Sequence, residues 1–152
     1  MASSAAAQPS ILDRLRDQGD IVTTLLLMAF MVIMVVPLPP IVMDELEEKF
    51  GVPVVEAYGM TEAAHQMSSN PLPPGNRLPG AVGPGTGVEI GIMDEEGTLL
   101  LTGERGEVVI KGANVITGYE NNPEANASSF TKGWFRTGDE GVLDANGFLA
   151  LT

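Results

Sequence analysis

The stretch GWFRTGDEGVLDANGFLALT, residues 133–152, carries the clearest fold signal in the chain. Asn146-Gly147 is a strong hairpin signal, and the runs 142–144 and 148–151 on either side of Ala145-Asn146-Gly147 read as its two strands. Just ahead of them, Thr137-Gly138-Asp139 follows the aromatic pair Trp134-Phe135 and reads as a turn that sets a carboxylate at a tight bend. Working back, Pro123 starts a short helix at its first position, running to about residue 130. Residues 106–111 form another strand, and 88–93 can pair with 98–101 across the turn residues 94–97. A small, twisted, barrel-like sheet is therefore predicted over 88–152.

Upstream the pattern is that of an α/β protein. Residues 43–50 read as a short amphipathic helix with Asp44, Glu45, Glu47 and Glu48 in its first turns and Gly51 beyond its end. Residues 52–57 are a short apolar strand, and 70–87 a Pro/Gly-rich loop without periodicity. A loop of that length in a compact domain is usually functional or mobile. The fold expected is an α/β piece over 37–70, a loop over 71–87 and a β-rich, barrel-like subdomain over 88–152.

Residues 1–20 read as a disordered or polar leader, and 21–36 as an apolar segment broken only by Thr23 and Thr24. As a helix 21–36 would reach roughly 24 Å, against about 30 Å for a hydrocarbon core. Pro37, Pro39 and Pro40 stop any extension. Membrane contact through 21–36 is thus the less favoured reading beside a buried core segment or a segment lacking its packing partner. With 20 acidic and 8 basic residues the net charge is −12, which repels phosphate backbones and excludes nucleic acid as a partner class. The absence of cysteine excludes disulfides and thiolate metal sites.

Chemistry concentrates in three strings: YGMTE at 58–62, GEVVIKGANVITGY at 106–119 and WFRTGD at 134–139. A strand ending at Ala57 and a turn at Gly59 put Tyr58, Thr61 and Glu62 at a strand's carboxyl end, the usual ligand position in an open α/β layer. There a threonine hydroxyl can donate to a phosphate, a glutamate can hold a magnesium ion that bridges phosphates, and a tyrosine ring can stack on a base. Asp139 can accept from two vicinal hydroxyls, as on a ribose. The plainer alternatives are a turn with Thr61 as helix N-cap and an Asx-type turn between strands. His65, the one histidine, lies three residues beyond Glu62 and is predicted on the same side of a short helix, with a surface role as the alternative. Arg77 and Lys111 read as solvated surface charges.

The order and spacing of these strings resemble the nucleotide-binding core of the adenylate-forming enzymes, the acyl-CoA synthetase and luciferase superfamily. The similarity runs nearly unbroken over 37–152, 116 of 152 residues. Within it, EAYGMTEAAHQMSSNPLPPG at 56–75 is most similar to the oxalyl-CoA synthetases and related AMP-dependent acyl-CoA ligases. The resemblance implies a partial N-terminal, AMP-binding domain of an acid–CoA ligase. It implies ATP, magnesium and coenzyme A as cofactors, a small carboxylic acid such as oxalate as substrate, and a cytoplasmic location, peroxisomal in some relatives. By position, Tyr58 packs on adenine, Gly59 shares the nucleotide turn, Thr61 contacts the α-phosphate, Glu62 binds magnesium and Asp139 holds the ribose hydroxyls. Thr61 and Glu62 are the implied catalytic pair, and His65 recognises the small acid.

Two departures temper this. The family's Gly-rich phosphate loop with its lysine has no counterpart in 1–36, which holds no lysine and only Gly19, so a junction is placed near Val36. The family's Gly-Arg hinge and C-terminal lysine domain would follow Thr152. The expectation is a ligase fragment, inactive alone and weak for nucleotide. Two readings stay open beside it: half of a split enzyme completed by another polypeptide, and a non-catalytic interaction protein or membrane-associated remnant on the same scaffold.

Overall fold

A computed structural model describes residues 38–152; the leader and the apolar segment 21–36 lie outside the described residues. The first element, α1 (Pro40–Phe50), starts three residues earlier than predicted, because Pro40 sits at the first helical position, where its missing N–H costs nothing. The acidic residues consequently lie past the first turn. Gly51 closes the helix in the left-handed conformation, φ 66°, its N–H donating to Glu47 O.

The strand predicted over 52–57 is only β1 (Ala57–Tyr58), paired antiparallel with β2 (Ser68–Ser69). Polar staples hold 52–56 instead. Glu47 accepts from Val54 N at 2.7 Å and from Arg77, whose guanidinium also donates to Val54 O at 2.6 Å. Arg77 is therefore an ion-paired clamp between α1 and the loop, not a solvated charge. Glu56, 6% exposed, accepts from Leu38 N and Gly80 N, and burial raises its carboxyl above the ordinary range.

The larger sheet contains β3 (Glu89–Met93), β4 (Arg105–Lys111), β5 (Phe130–Thr131), β6 (Trp134–Leu143) and β7 (Leu149–Leu151), all antiparallel in their pairings. Its order is β3-β4-β6-β5, with β7 also on β6. The 98–101 segment does return onto β3 across 94–97, through the Met93–Leu99 bridge and the Leu100 N to Ile92 O bond, but forms no strand, and β4 is the full-length partner of β3. The hairpin at 144–147 forms as predicted: Gly147 has φ 81°, and Asp144 Oδ1 accepts from Asn146 N and Phe148 N, both at 2.8 Å. The short helix α2 (Pro123–Ser129) is capped by Asn122, which accepts from Ala125 N.

The Pro/Gly-rich loop has no strand of its own, yet it stitches the two sheets together. Val82 N donates to Leu149 O at 2.7 Å and Leu149 N to Gly83 O, while Ser69 N reaches Pro84 O and Thr86 N reaches Met67 O. The curled layer closes over an apolar core built around Tyr58, Met67, Val82, Ile110, Phe135 and Leu149. Among the described residues no helix is long and apolar enough to cross a membrane.

Candidate functional site

The turn after β1 is folded tightly upon itself. Ala63 N and His65 N both donate to Met60 O at 3.1 Å, and Met67 N returns to Tyr58 O at 2.8 Å. Only glycine fits at position 59, since a Cβ there would stand 1.6 Å from His65 O. Thr61–Ala63 form a single 3-10 turn whose cap position is Met60, so Thr61 is its exposed first residue and not an N-cap.

His65 departs from expectation. The helical turn ends at Ala63, and Ala64 and His65 follow in the left-handed region, φ 52° and 89°. The exposed imidazole therefore does not share a helix face with Glu62.

Asp139 also sits differently from the tight bend predicted. WFRTGD lies within β6, and the bend is a β-bulge, where the register against β4 shifts between Glu107 and Val109 and Gly138 adopts φ 81°. Thr137 donates to Val108 O at 2.8 Å and accepts from Asp139 N at 3.2 Å. The bulge turns Asp139 toward the first motif, where Oδ2 accepts from the Tyr58 hydroxyl at 2.5 Å. Tyr58 is 2% exposed, so it offers no open ring face for stacking. Burial first, then the Asp139 carboxylate, push its phenol far above the ordinary value and keep it a donor.

The second string completes the arrangement. Ile116 N donates to Glu62 O at 2.8 Å, the Asn114 amide to Ala63 O at 2.9 Å, and the Tyr119 hydroxyl to Glu62 Oε1 at 3.0 Å. Burial and then Glu62 raise the Tyr119 phenol as well. Three strings dispersed over the chain thus meet at the 58–62 turn. Asn114, Tyr119 and Thr137 had no assigned role in the sequence reading, although all three lie inside the strings that drew attention.

Among the described residues one oxygen of each key carboxylate is held and the other, Asp139 Oδ1 or Glu62 Oε2, receives no donor. For Glu62 that suits magnesium, which commonly binds one or two carboxylates together with phosphate oxygens and water. No cluster of three or more His, Cys, Asp or Glu that could hold a metal by itself occurs among the described residues. A cavity of about 520 Å³ lies beside the bulge, lined by the Arg105–Glu140 and Arg136–Glu107 ion pairs and Gly138, and none of the predicted site residues lines it. Lys111 is exposed as expected, with its ammonium 5.9 Å above the Trp134 ring.

A family model described as AMP-binding enzyme matches residues 2–120, reaching across the junction placed near Val36. The chain is 56% identical over 115 residues to a protein of Humulus lupulus named a probable CoA ligase, covering 75% of this chain and 22% of that one. It is 54% identical over 117 residues to the oxalate–CoA ligase of Saccharomyces cerevisiae, covering 76% and 22%. Among solved structures, the O-succinylbenzoate coenzyme A synthetase of Bacillus subtilis in complex with ATP and magnesium ion is similar with a TM-score of 0.67 and 38% identity, covering 76% of this chain and 24% of that one. The chain thus spans about a fifth of the length of the curated relatives it matches, 22%.

Proposed function

The chain belongs to the AMP-binding enzyme family, and from that premise we propose that it carries the nucleotide-holding turn and ribose carboxylate of an ATP-dependent carboxylate–CoA ligase. The observation that carries this reading is the convergence of Tyr58, Glu62, Tyr119 and Asp139 from three separated strings. In the reaction proposed, a carboxylate oxygen of a small acid attacks the α-phosphorus of ATP and pyrophosphate leaves. The thiol of coenzyme A then displaces AMP from the acyl carbon.

Within this scheme Asp139 accepts from the ribose hydroxyls through Oδ1, its other oxygen fixed by Tyr58. Tyr58 itself acts as the buried support of that carboxylate. Gly59 allows the turn to close, and Thr61, exposed on it, donates its hydroxyl to the α-phosphate. Glu62 would hold magnesium, which when bound would neutralise charge at the phosphates. His65, exposed beside the turn, is assigned to the acid's carboxylate, and the kinship with oxalate–CoA ligases favours oxalate or a similarly small acid.

The experiment is a chimera in which residues 37–152 replace the matching segment of the yeast oxalate–CoA ligase. Oxalate-dependent pyrophosphate release that is lost on Asp139→Ala supports the reading. A folded chimera without pyrophosphate release, or one indifferent to Asp139→Ala, sinks it.

A further inference from the structure

Resting on the reading of Glu62 as the magnesium carboxylate, we propose that Tyr119 is a positioning residue for Glu62 and that Asn126 is the clamp that sets Tyr119. The segment 112–119 grips residues 62 and 63 at three points. Ile116 N and the Asn114 amide fix the backbone through Glu62 O and Ala63 O. Tyr119 Oη alone reaches the carboxylate, at Oε1. A glutamate side chain has several rotatable bonds, and on the half-buried Glu62 this bond selects one arrangement in which Oε2 is the oxygen left for a hard cation.

Tyr119 is held in turn. Asn126 Oδ1 accepts from Tyr119 N at 2.6 Å, and Asn126 Nδ2 donates to Tyr119 O at 2.9 Å, so one side-chain amide satisfies both backbone groups of the tyrosine. Asn126 stands on α2, whose start is fixed by the Asn122 cap and Pro123. The approach is close: a Cβ on Gly118 would lie 3.2 Å from Asn126 Oδ1. Asn126 thus fixes the Tyr119 backbone, and the Tyr119 phenol at the other end of that residue reaches the Glu62 carboxylate. Partners of this kind, bonded to a metal-binding carboxylate, orient the ligand and set its affinity.

The test uses the 152-residue chain and two readouts. Calorimetric titration with ATP, with magnesium and with chelator, compares wild type with Tyr119→Phe, Asn126→Ala, Asn126→Asp, Glu62→Gln and the Tyr119→Phe/Glu62→Gln pair. Side-chain three-bond couplings by NMR report whether Glu62 occupies one rotamer. Tyr119→Phe keeps the ring that packs on the core, and thermal midpoints verify folding. Tyr119→Phe should weaken magnesium-dependent binding by roughly tenfold or more, add nothing in the Glu62→Gln background, and average the Glu62 couplings. Asn126→Ala should do the same and speed hydrogen exchange at the Tyr119 amide, while Asn126→Asp, which keeps the acceptor, should restore part of the effect. Equal weakening in both Glu62 backgrounds, or Glu62 couplings unchanged by Tyr119→Phe, overturns the proposal. A wild-type chain that binds no magnesium nucleotide overturns the functional reading instead. In that case the couplings still decide the Tyr119–Glu62 pairing by themselves.

Discussion

Tyr58 and Asp139 stand 81 residues apart and share one hydrogen bond, the buried phenol donating to Asp139 Oδ2 at 2.5 Å. It joins the turn after β1 to the bulge of β6. Tyr58→Phe keeps the packed ring and removes the donor, leaving a partly buried carboxylate with one support fewer. The expected cost is about 1.5–3 kcal/mol, the scale of a hydrogen bond to a charged group. Urea unfolding measures it, and a variant as stable as wild type would show the bond to be incidental.

Gly59→Ala tests the closure of the same turn. A Cβ there would meet His65 O at 1.6 Å, backbone against backbone, so the turn must open. The expected loss is about 3 kcal/mol, at the upper end for overpacking. Gly133→Ala, with φ 83° and nothing within 4 Å, should cost only the left-handed strain, about 1–2 kcal/mol. Equal urea midpoints for the two variants would contradict the geometry.

The pH dependence has a definite sign at the loop clamp. Hydrogen bonds from Arg77 first and Val54 N second hold the Glu47 carboxyl below its ordinary value of 4.5. A depressed folded-state value gives stability that is fully present above the unfolded value and is lost as pH falls below it. Between about pH 5 and about pH 3, wild type should lose more stability than Glu47→Gln, by about 0.5–1 kcal/mol. Glu56, raised by burial, titrates in the opposite sense but is common to both proteins and cancels. Parallel acid limbs in urea unfolding would refute the role of the pair.

Much of the β-rich half was legible because its signals are local. Asn146-Gly147 dictates a hairpin wherever it lies, and Pro123 starts α2 at its first position. The misreadings arose where long-range contacts decide. Thr137-Gly138-Asp139 has turn chemistry, yet pairing with β4 draws it into a ten-residue strand as a bulge. Residues 52–56 look like a strand, but the Glu47 and Arg77 side chains take up the Val54 N–H and carbonyl. Arg77 gave no sign of its partner 30 residues away. The candidate carboxylates are legible from their strings, whereas Asn126 lies outside all three, and its clamp on Tyr119 depends on how α2 packs.

The most direct test of the central claim, that three dispersed strings build one nucleotide-holding turn, is calorimetric titration of the folded 152-residue chain with ATP in the presence of magnesium. Binding is predicted for wild type, lost with Asp139→Ala and made independent of magnesium with Glu62→Gln. No heat of binding from a folded wild-type sample, or binding untouched by either substitution, would contradict the account.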